Sequence, residues 1–412
     1  MKRLHYGWVI AALGAIIFSF YSMRFNTFGV FLIPLTDQFH WDRGALSWAP
    51  SFAAITSGLV SLYSGRLSDK YGPRSLVTIA GLMIAASFML MSQVGKLWHV
   101  YLAWGLLMGG AQACIYIPII SSVPRWFSVR RSSAIGITVL GFGIGAVAWP
   151  PVTQSLIDSF GWQNACLILG IINLAVIVPL AQFLKPDPQS IGILPYGENS
   201  PLVQKNSAIP ESVGLTLKEA IKKPRFWIFG MVLLGFFSCL NVMYVHIVAH
   251  ARDIGIAPLI AASSVSIIGG MSIIGRLSIG PISEKIGMGK ALCLSLTLGL
   301  IAMCLLVWSP GEWAFFVFAA IFGLAYGTFV PMETAVPAGM FGVKSLGIIM
   351  AVLGLFTNIG IALAPPLAGA IFDATGRYTD AFIICLGLVS MAFILSLVLL
   401  RLKDKTKSPN IN

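Results

Sequence analysis

Stretches of about twenty mostly apolar residues follow one another along this chain. They lie near 7–33, 44–64, 75–94, 98–121, 132–158 and 163–184, then 226–250, 258–282, 290–309, 312–336, 345–371 and 379–401. A helix needs about 20 residues to cross the hydrocarbon core of a bilayer, and in lipid each backbone polar group must be satisfied within its own segment. The pattern therefore predicts an all-α membrane protein with twelve transmembrane helices. With 57% of 412 residues apolar and only 10% charged, no water-facing surface is available for a soluble domain of this size. A soluble enzyme is excluded on this ground.

The connections are short except at 185–225, where Pro186, Pro188, Pro195, Pro201 and Pro210 stand among scattered charges. This segment reads as a solvated cytoplasmic linker between an N-terminal six-helix bundle, 1–184, and a C-terminal one, 226–412. The charges orient the helices. Lys and Arg gather on the side of the termini, in the loops holding Arg66, Lys70 and Arg74, then Arg125, Arg130 and Arg131, in the linker, and from Arg401 to Lys407. The opposite side keeps Arg43, Lys96, Arg252 and Arg377, while Arg24 and Arg276 fall inside spans. By the positive-inside rule both termini are cytoplasmic, and a bacterial-type inner membrane is the expected location. The net charge of +12 then reports topology and contact with anionic lipid, and requires no nucleic acid. The apolar run after Met1-Lys2-Arg3 is too long for a cleaved signal and is read as helix 1. Cys114, Cys166, Cys239, Cys293, Cys304 and Cys385 all fall within spans and read as small packing residues. No phosphate-binding loop, metal-ligand cluster or nucleophile motif is found, so no enzyme, metal or cofactor is expected.

The two halves repeat at an offset of 215 residues. Gly65-Arg-Leu-Ser-Asp69-Lys70-Tyr-Gly72 meets Gly280-Pro-Ile-Ser-Glu284-Lys285-Ile-Gly287, and Pro150-Pro151, Asp158 and Gly161 meet Pro365-Pro366, Asp373 and Gly376. Homologous six-helix halves imply a site at their interface near mid-membrane, exposed to each side in turn.

The loop Gly65-x-Leu67-x-Asp69-Lys70-x-Gly72-x-Arg74 resembles the G-x-L-x-D-[RK]-x-G-x-[RK] motif of the major facilitator superfamily, with Glu284-Lys285-x-Gly287 as a weaker second copy. That resemblance implies a cytoplasmic latch. Asp69, Lys70, Arg74 and Glu284 would be its gating residues, with Arg125 or Arg131 as cationic partners on the neighbouring loop. Gly7-Trp8 with Phe28-Gly-Val-Phe31-x-x-Pro34-Leu35 is similar to the first helix of the monocarboxylate porters. The Arg125-to-Pro151 segment looks like their helix 4–5 region, and Gly275-Arg276 with Gly280 matches the segment holding their carboxylate-binding arginine. The related oxalate/formate exchangers carry a second cation in helix 11, which 345–371 lacks; Asn358 sits near its middle. The animal porters carry an Asp one turn before the arginine, where this chain has Ser272.

Arg276 is the most informative residue. A cation within a span costs about 2.5–3.5 kcal/mol or more unless paired or wetted. It shares the small face of helix 8 with Gly269, Ser272 and Gly280, toward the expected cavity, and its planar fork matches a carboxylate. An interhelical ion pair or a snorkelling side chain is the structural alternative. Arg24 lies on an aromatic face of helix 1 and either lines the pocket, as the resemblance to the porters implies, or snorkels outward. Asn241, the repeat mate of Asn26, and Tyr116 and Tyr326 are candidate pocket residues or interhelical packing. Glu333 is a candidate proton carrier, or pairs with a loop cation. His246 is a candidate for substrate or proton binding, or a histidine satisfied at the membrane boundary.

These residues together with the resemblance imply proton-coupled symport of a small monocarboxylate such as lactate or pyruvate, and the resemblance alone implies a monomer. The partners expected are the carboxylate, protons and the lipid bilayer. An oxalate/formate-type exchanger, a multidrug exporter on the same fold and a transporter-like sensor are the alternatives.

Overall fold

The computed structural model describes residues 5–197, 214–308, 311–342 and 344–402, so the middle of the expected linker lies outside the described residues. The side chain of Asp69 lies outside them too. Helix α1 spans Tyr6–Phe39. A continuous stretch, Arg43–Ser92, turns at Gly72 (φ 76°) and so forms α2 (43–71) and α3 (73–92). Helix α4 (97–122) contains a π-helical segment, Tyr101–Met108. The Arg131–Gln182 stretch turns at Gly161 (φ 79°) into α5 (131–160) and α6 (162–182). The second half holds α7 (Pro224–Asp253), α8 (Pro258–Ile286), α9 (Met288–Trp308), α10 (Glu312–Phe341), α11 (Leu346–Thr375) and α12 (Thr379–Arg401). Ten stretches among the described residues are individually long and apolar enough to span a membrane. Dividing one at Gly161 and counting the segment before Gly72 resolves twelve helices in two six-helix bundles.

The repeat explains the corners. Gly72 and Gly161 have as mates Gly287 (φ 86°) and Gly376 (φ 71°), and all four occupy the positive-φ region that a side chain would strain. Small residues also set the packing. Gly141 and Gly145 of α5 lie on the backbone of α1 at Ala15 and Ser19. A Cβ on Gly275 of α8 would come within 2.7 Å of the Leu324 carbonyl of α10, and Gly327 of α10 sits on the Ser272 carbonyl. Without a hydrophobic force between helices in lipid, such close backbone approach is what holds a bundle together.

Three helix pairs join the halves: α2 with α11, α5 with α8, and α1 with α7. At the face away from the termini, Asp373 at the end of α11 accepts the backbone N–H groups of Arg43 (2.9 Å) and Gly44 (2.7 Å), capping α2 from the other bundle. The Arg43 guanidinium pairs with Asp253 at the end of α7, Nη2 lying 2.8 Å from Oδ1, and stacks on Phe372 with 3.8 Å to the ring centroid. Along α5 and α8 the joint is different in kind: Gly269 lies against Ala146, Gly143 against Ile273, and the Ser266 hydroxyl donates to the Val147 carbonyl (2.7 Å).

The ends of the linker dock on different bundles at the face of the termini. Tyr196 pairs with Phe127 and accepts from the Ser128 N–H (3.0 Å), whereas Gly214 pairs with Gly342 and the Leu215 N–H donates to the Phe341 carbonyl (2.7 Å). A one-turn helix, Leu217–Ile221, follows with a capping box. There the Thr216 N–H and hydroxyl hold the Glu219 carboxyl below the usual carboxylate range.

Candidate functional site: a cavity between the halves

A cavity of about 330 Å³ lies between the two bundles at mid-depth. Helix α1 brings Tyr21, Phe25 and Asn26 to it, α4 brings Gln112 and Tyr116, and α7 brings Asn241 and Tyr244. From α8 come Ser272 and Arg276, from α10 Tyr326 and Glu333, and from α11 Thr357. The seal at Arg43, Asp253 and Asp373 closes the side away from the termini. Tyr116, on the terminal side of the lining, is 44% exposed. The cavity opens toward the face of the termini.

Arg276 is the one cation among the described lining residues. Its guanidinium carbon lies 5.2 Å from the centroid of the Tyr326 ring, and Tyr244 meets Tyr326 edge-on at 6.1 Å. An aromatic face partly compensates a cation that has left water. It offers no acceptor, however, and Arg276 Nε is buried without a hydrogen-bond partner. Two further buried, unpartnered atoms lie on the same lining, Gln112 Oε1 and Thr357 Oγ1. Buried polar atoms are rarely left open in a folded protein. These three, of nine such atoms among the described residues, face one space, which makes that space the candidate site for a polar ligand.

Asn26 and Asn241 face the cavity together, as their repeat relationship suggests, and each donates one amide hydrogen to its own helix, to Ser22 (2.9 Å) and Phe237 (3.0 Å) carbonyls. Glu333 stands two turns beyond Tyr326 and makes neither an ion pair nor a hydrogen bond with the described residues. It faces the cavity and not a loop cation.

Two of the expected site residues stand elsewhere. Arg24 is 6% exposed and lies off the lining: α1 turns Tyr21, Ser22, Phe25 and Asn26 to the cavity and carries Arg24 on the face behind them. It is buried within the first bundle, its guanidinium 4.2 Å from the Phe25 ring, and it does not snorkel. His246 is fully buried in the seal. Its Nε2 is 2.8 Å from the Pro365 carbonyl, which can only accept, so Nε2 carries the proton and Nδ1 accepts from the Tyr378 hydroxyl at 3.0 Å. Tyr378 in turn accepts from Arg43 (3.1 Å). On α11, Thr357 takes the lining position and the neighbouring Asn358 is exposed.

At the terminal face the structure brings Lys70, Arg74 and Arg125 around one space. Arg131 turns away from it, Nε donating to the Phe127 carbonyl, and Glu284 is exposed. Sequence reading missed the seal. Arg43, Asp253 and Asp373 each look like a solvated loop charge, and only the Asp158–Asp373 repeat hinted otherwise.

The family model described as Major Facilitator Superfamily matches residues 13–311 and 249–412. Among curated proteins the chain is similar to "Monocarboxylate transporter 13" of Rattus norvegicus, 27% identical, covering 87% of this chain and 81% of that protein. It is likewise similar to "Monocarboxylate transporter 11" of Mus musculus, 29% identical over 92% of this chain and 84% of that protein. Among solved structures, a bacterial homologue of the human lysosomal transporter Spinster, inward-facing and unoccupied, superposes with a TM-score of 0.75 at 16% identity. That match covers 97% of this chain and 98% of that one. The nucleoside transporter NupG superposes with a TM-score of 0.72 at 14% identity, covering 95% and 99%.

Proposed function

The chain belongs to the major facilitator superfamily, and from that premise we propose that it carries small monocarboxylates of the lactate and pyruvate kind by proton-coupled symport, through alternating access. One observation carries this reading: the cation of the central cavity, Arg276, has a buried donor with no hydrogen-bond partner among the described residues. A carboxylate satisfies that fork with two parallel charge-assisted hydrogen bonds. Tyr326 holds the guanidinium from one side, and Tyr116, Asn241, Gln112 and Thr357 supply the polar contacts that shape the pocket. Similarity to monocarboxylate transporters supports the same substrate class.

In this mechanism the halves 1–184 and 226–412 rock about the site, and 185–225 joins them on the cytoplasmic side of an inner membrane. With the termini cytoplasmic, as the distribution of cations suggests, the cavity mouth is on the cytoplasmic side. Substrate neutralises Arg276, which lets the bundles close over it, and release restores the charge that keeps them apart. Glu333, which makes no ion pair with the described residues and lies between Tyr326 and the terminal face, carries the coupled proton. The site lies wholly within one chain, so a monomer suffices. The latch role of Asp69, Lys70, Arg74, Arg125, Arg131 and Glu284 belongs to the opposite, outward-open state.

The test is uptake of labelled L-lactate into proteoliposomes, with and without an inward proton gradient. Acceleration by the gradient, competed by pyruvate and abolished in Arg276→Ala with the fold intact, is the expected result. Normal uptake by that variant sinks the carboxylate grip. The second reading, carboxylate exchange, is favoured by Ser272, a hydroxyl where the animal porters hold an acid. It predicts trans-stimulation by internal carboxylate and indifference to the gradient.

A further inference from the structure

With a carboxylate in the fork of Arg276 the unpartnered donor of the central cavity is used, and the lining still holds a set of open acceptors. Asn26 of α1 and Asn241 of α7, repeat mates from the two halves, both line the cavity. The amide nitrogen of each donates to a backbone carbonyl of its own helix, at Ser22 (2.9 Å) and Phe237 (3.0 Å). A carbonyl only accepts, so these bonds fix which way round each amide lies. Its Oδ1 is left without a hydrogen-bond partner among the described residues. Gln112 of α4 adds a third acceptor, an Oε1 that is buried and unpartnered. A carboxylate satisfies none of the three, since it brings only further acceptors. Each asparagine also keeps a second amide hydrogen, which a 2-oxo group and a 2-hydroxyl can both accept, so the amide oxygens alone tell the two apart.

A buried acceptor left open when a ligand displaces water is costly, and a donor on the ligand removes that cost. A site built around such a bond rejects an analogue without the donor far more strongly than an apolar pocket rejects a missing methylene. A 2-hydroxyl donates one hydrogen and a 2-oxo group donates none. A 2-ammonium donates three, but it would stand two bonds from the carboxylate and so beside the Arg276 cation. Glu333, the acid that could balance it, lies 7 residues beyond Tyr326, about 10 Å along α10. Resting on the carboxylate grip of Arg276, we propose that this lining selects a 2-hydroxy monocarboxylate over the 2-oxo acid of the same skeleton, the hydroxyl donating to the amide oxygens gathered there.

The experiment is thermal unfolding of the full-length protein in detergent, titrated in turn with L-lactate, pyruvate and L-alanine, each midpoint giving an apparent affinity. L-Lactate should bind about tenfold or more tighter than pyruvate, the effect of one buried acceptor satisfied or left open. In the double variant Asn241→Leu, Gln112→Met the two acids should come within about threefold of each other, through loss of lactate affinity. Should the double variant not fold, Gln112→Met alone carries the comparison. Equal affinity of the parent for lactate and pyruvate overturns the selection and leaves the carboxylate grip standing. So does a preference that the folded variant keeps in full. Tighter binding of L-alanine than of L-lactate makes the donor an ammonium and overturns the hydroxyl. No response to any of the three, or a lactate response unaltered in Arg276→Ala, removes the grip and the selection with it.

Discussion

Arg276 and Tyr326 form a unit whose parts are separable by substitution. Tyr326→Phe keeps the ring face over the guanidinium 5.2 Å away and should leave the KM for lactate within a few-fold of the parent. Tyr326→Leu removes a cation–π contact of about 0.5–2 kcal/mol, which corresponds to a rise in KM of roughly 2- to 30-fold. Initial-rate uptake distinguishes the two variants. Glu333→Gln should abolish accumulation driven by a proton gradient while sparing exchange of internal for external lactate, measured by counterflow. Loss of both would make Glu333 part of the binding surface instead. Arg276 was readable in the sequence because a charge on the small face of an apolar helix has few explanations. Arg24 and His246 were not, since periodicity tells which residues share a face and not whether that face looks across at the other half or into its own bundle.

Among the elements, the α8–α10 joint positions the site. A Cβ added at Gly275 would stand only 2.7 Å from the Leu324 carbonyl, so Gly275→Leu must drive the two helices apart. A loss of about 1–3 kcal/mol in stability is expected, seen as a lowered Tm, together with a raised KM because Arg276 moves with α8. The α2–α11 joint closes the end of the cavity away from the termini. Arg43→Gln removes a charge-assisted pair of about 1.5–3 kcal/mol and should bias the protein toward opening on the far side. Asn241→Cys, placed in the cavity, should then react faster with an impermeant maleimide added from that side. An unchanged rate would show that backbone capping by Asp373 closes the mouth unaided. The helices themselves were legible from apolar run length and turn glycines. The joints between them were not, because each depends on residues brought together from up to 330 positions apart, as Arg43 and Asp373 are.

For the molecule as a whole, the repeat predicted the twelve-helix architecture, and the asymmetries within it single out the candidate site. Arg276 has the serine Ser61 as its mate, and Thr357 of the cavity has Phe142. The proposed orientation rests on the distribution of cations, so a reporter that fluoresces only in the cytoplasm should be active when fused after Asn412. The seal breaks the symmetry as well. Asp373 caps α2 through two backbone N–H groups, but the mate of Arg43 is Pro258, which has no N–H to offer, and Asp158 accepts from Gln154 instead. One edge of the mouth is thus fastened by charges and the other by interlocked glycine, alanine and isoleucine. Salt screens the first and leaves the second untouched. Raising the ionic strength should therefore weaken the fastening along α2 and α11 and leave the one along α5 and α8 as it is.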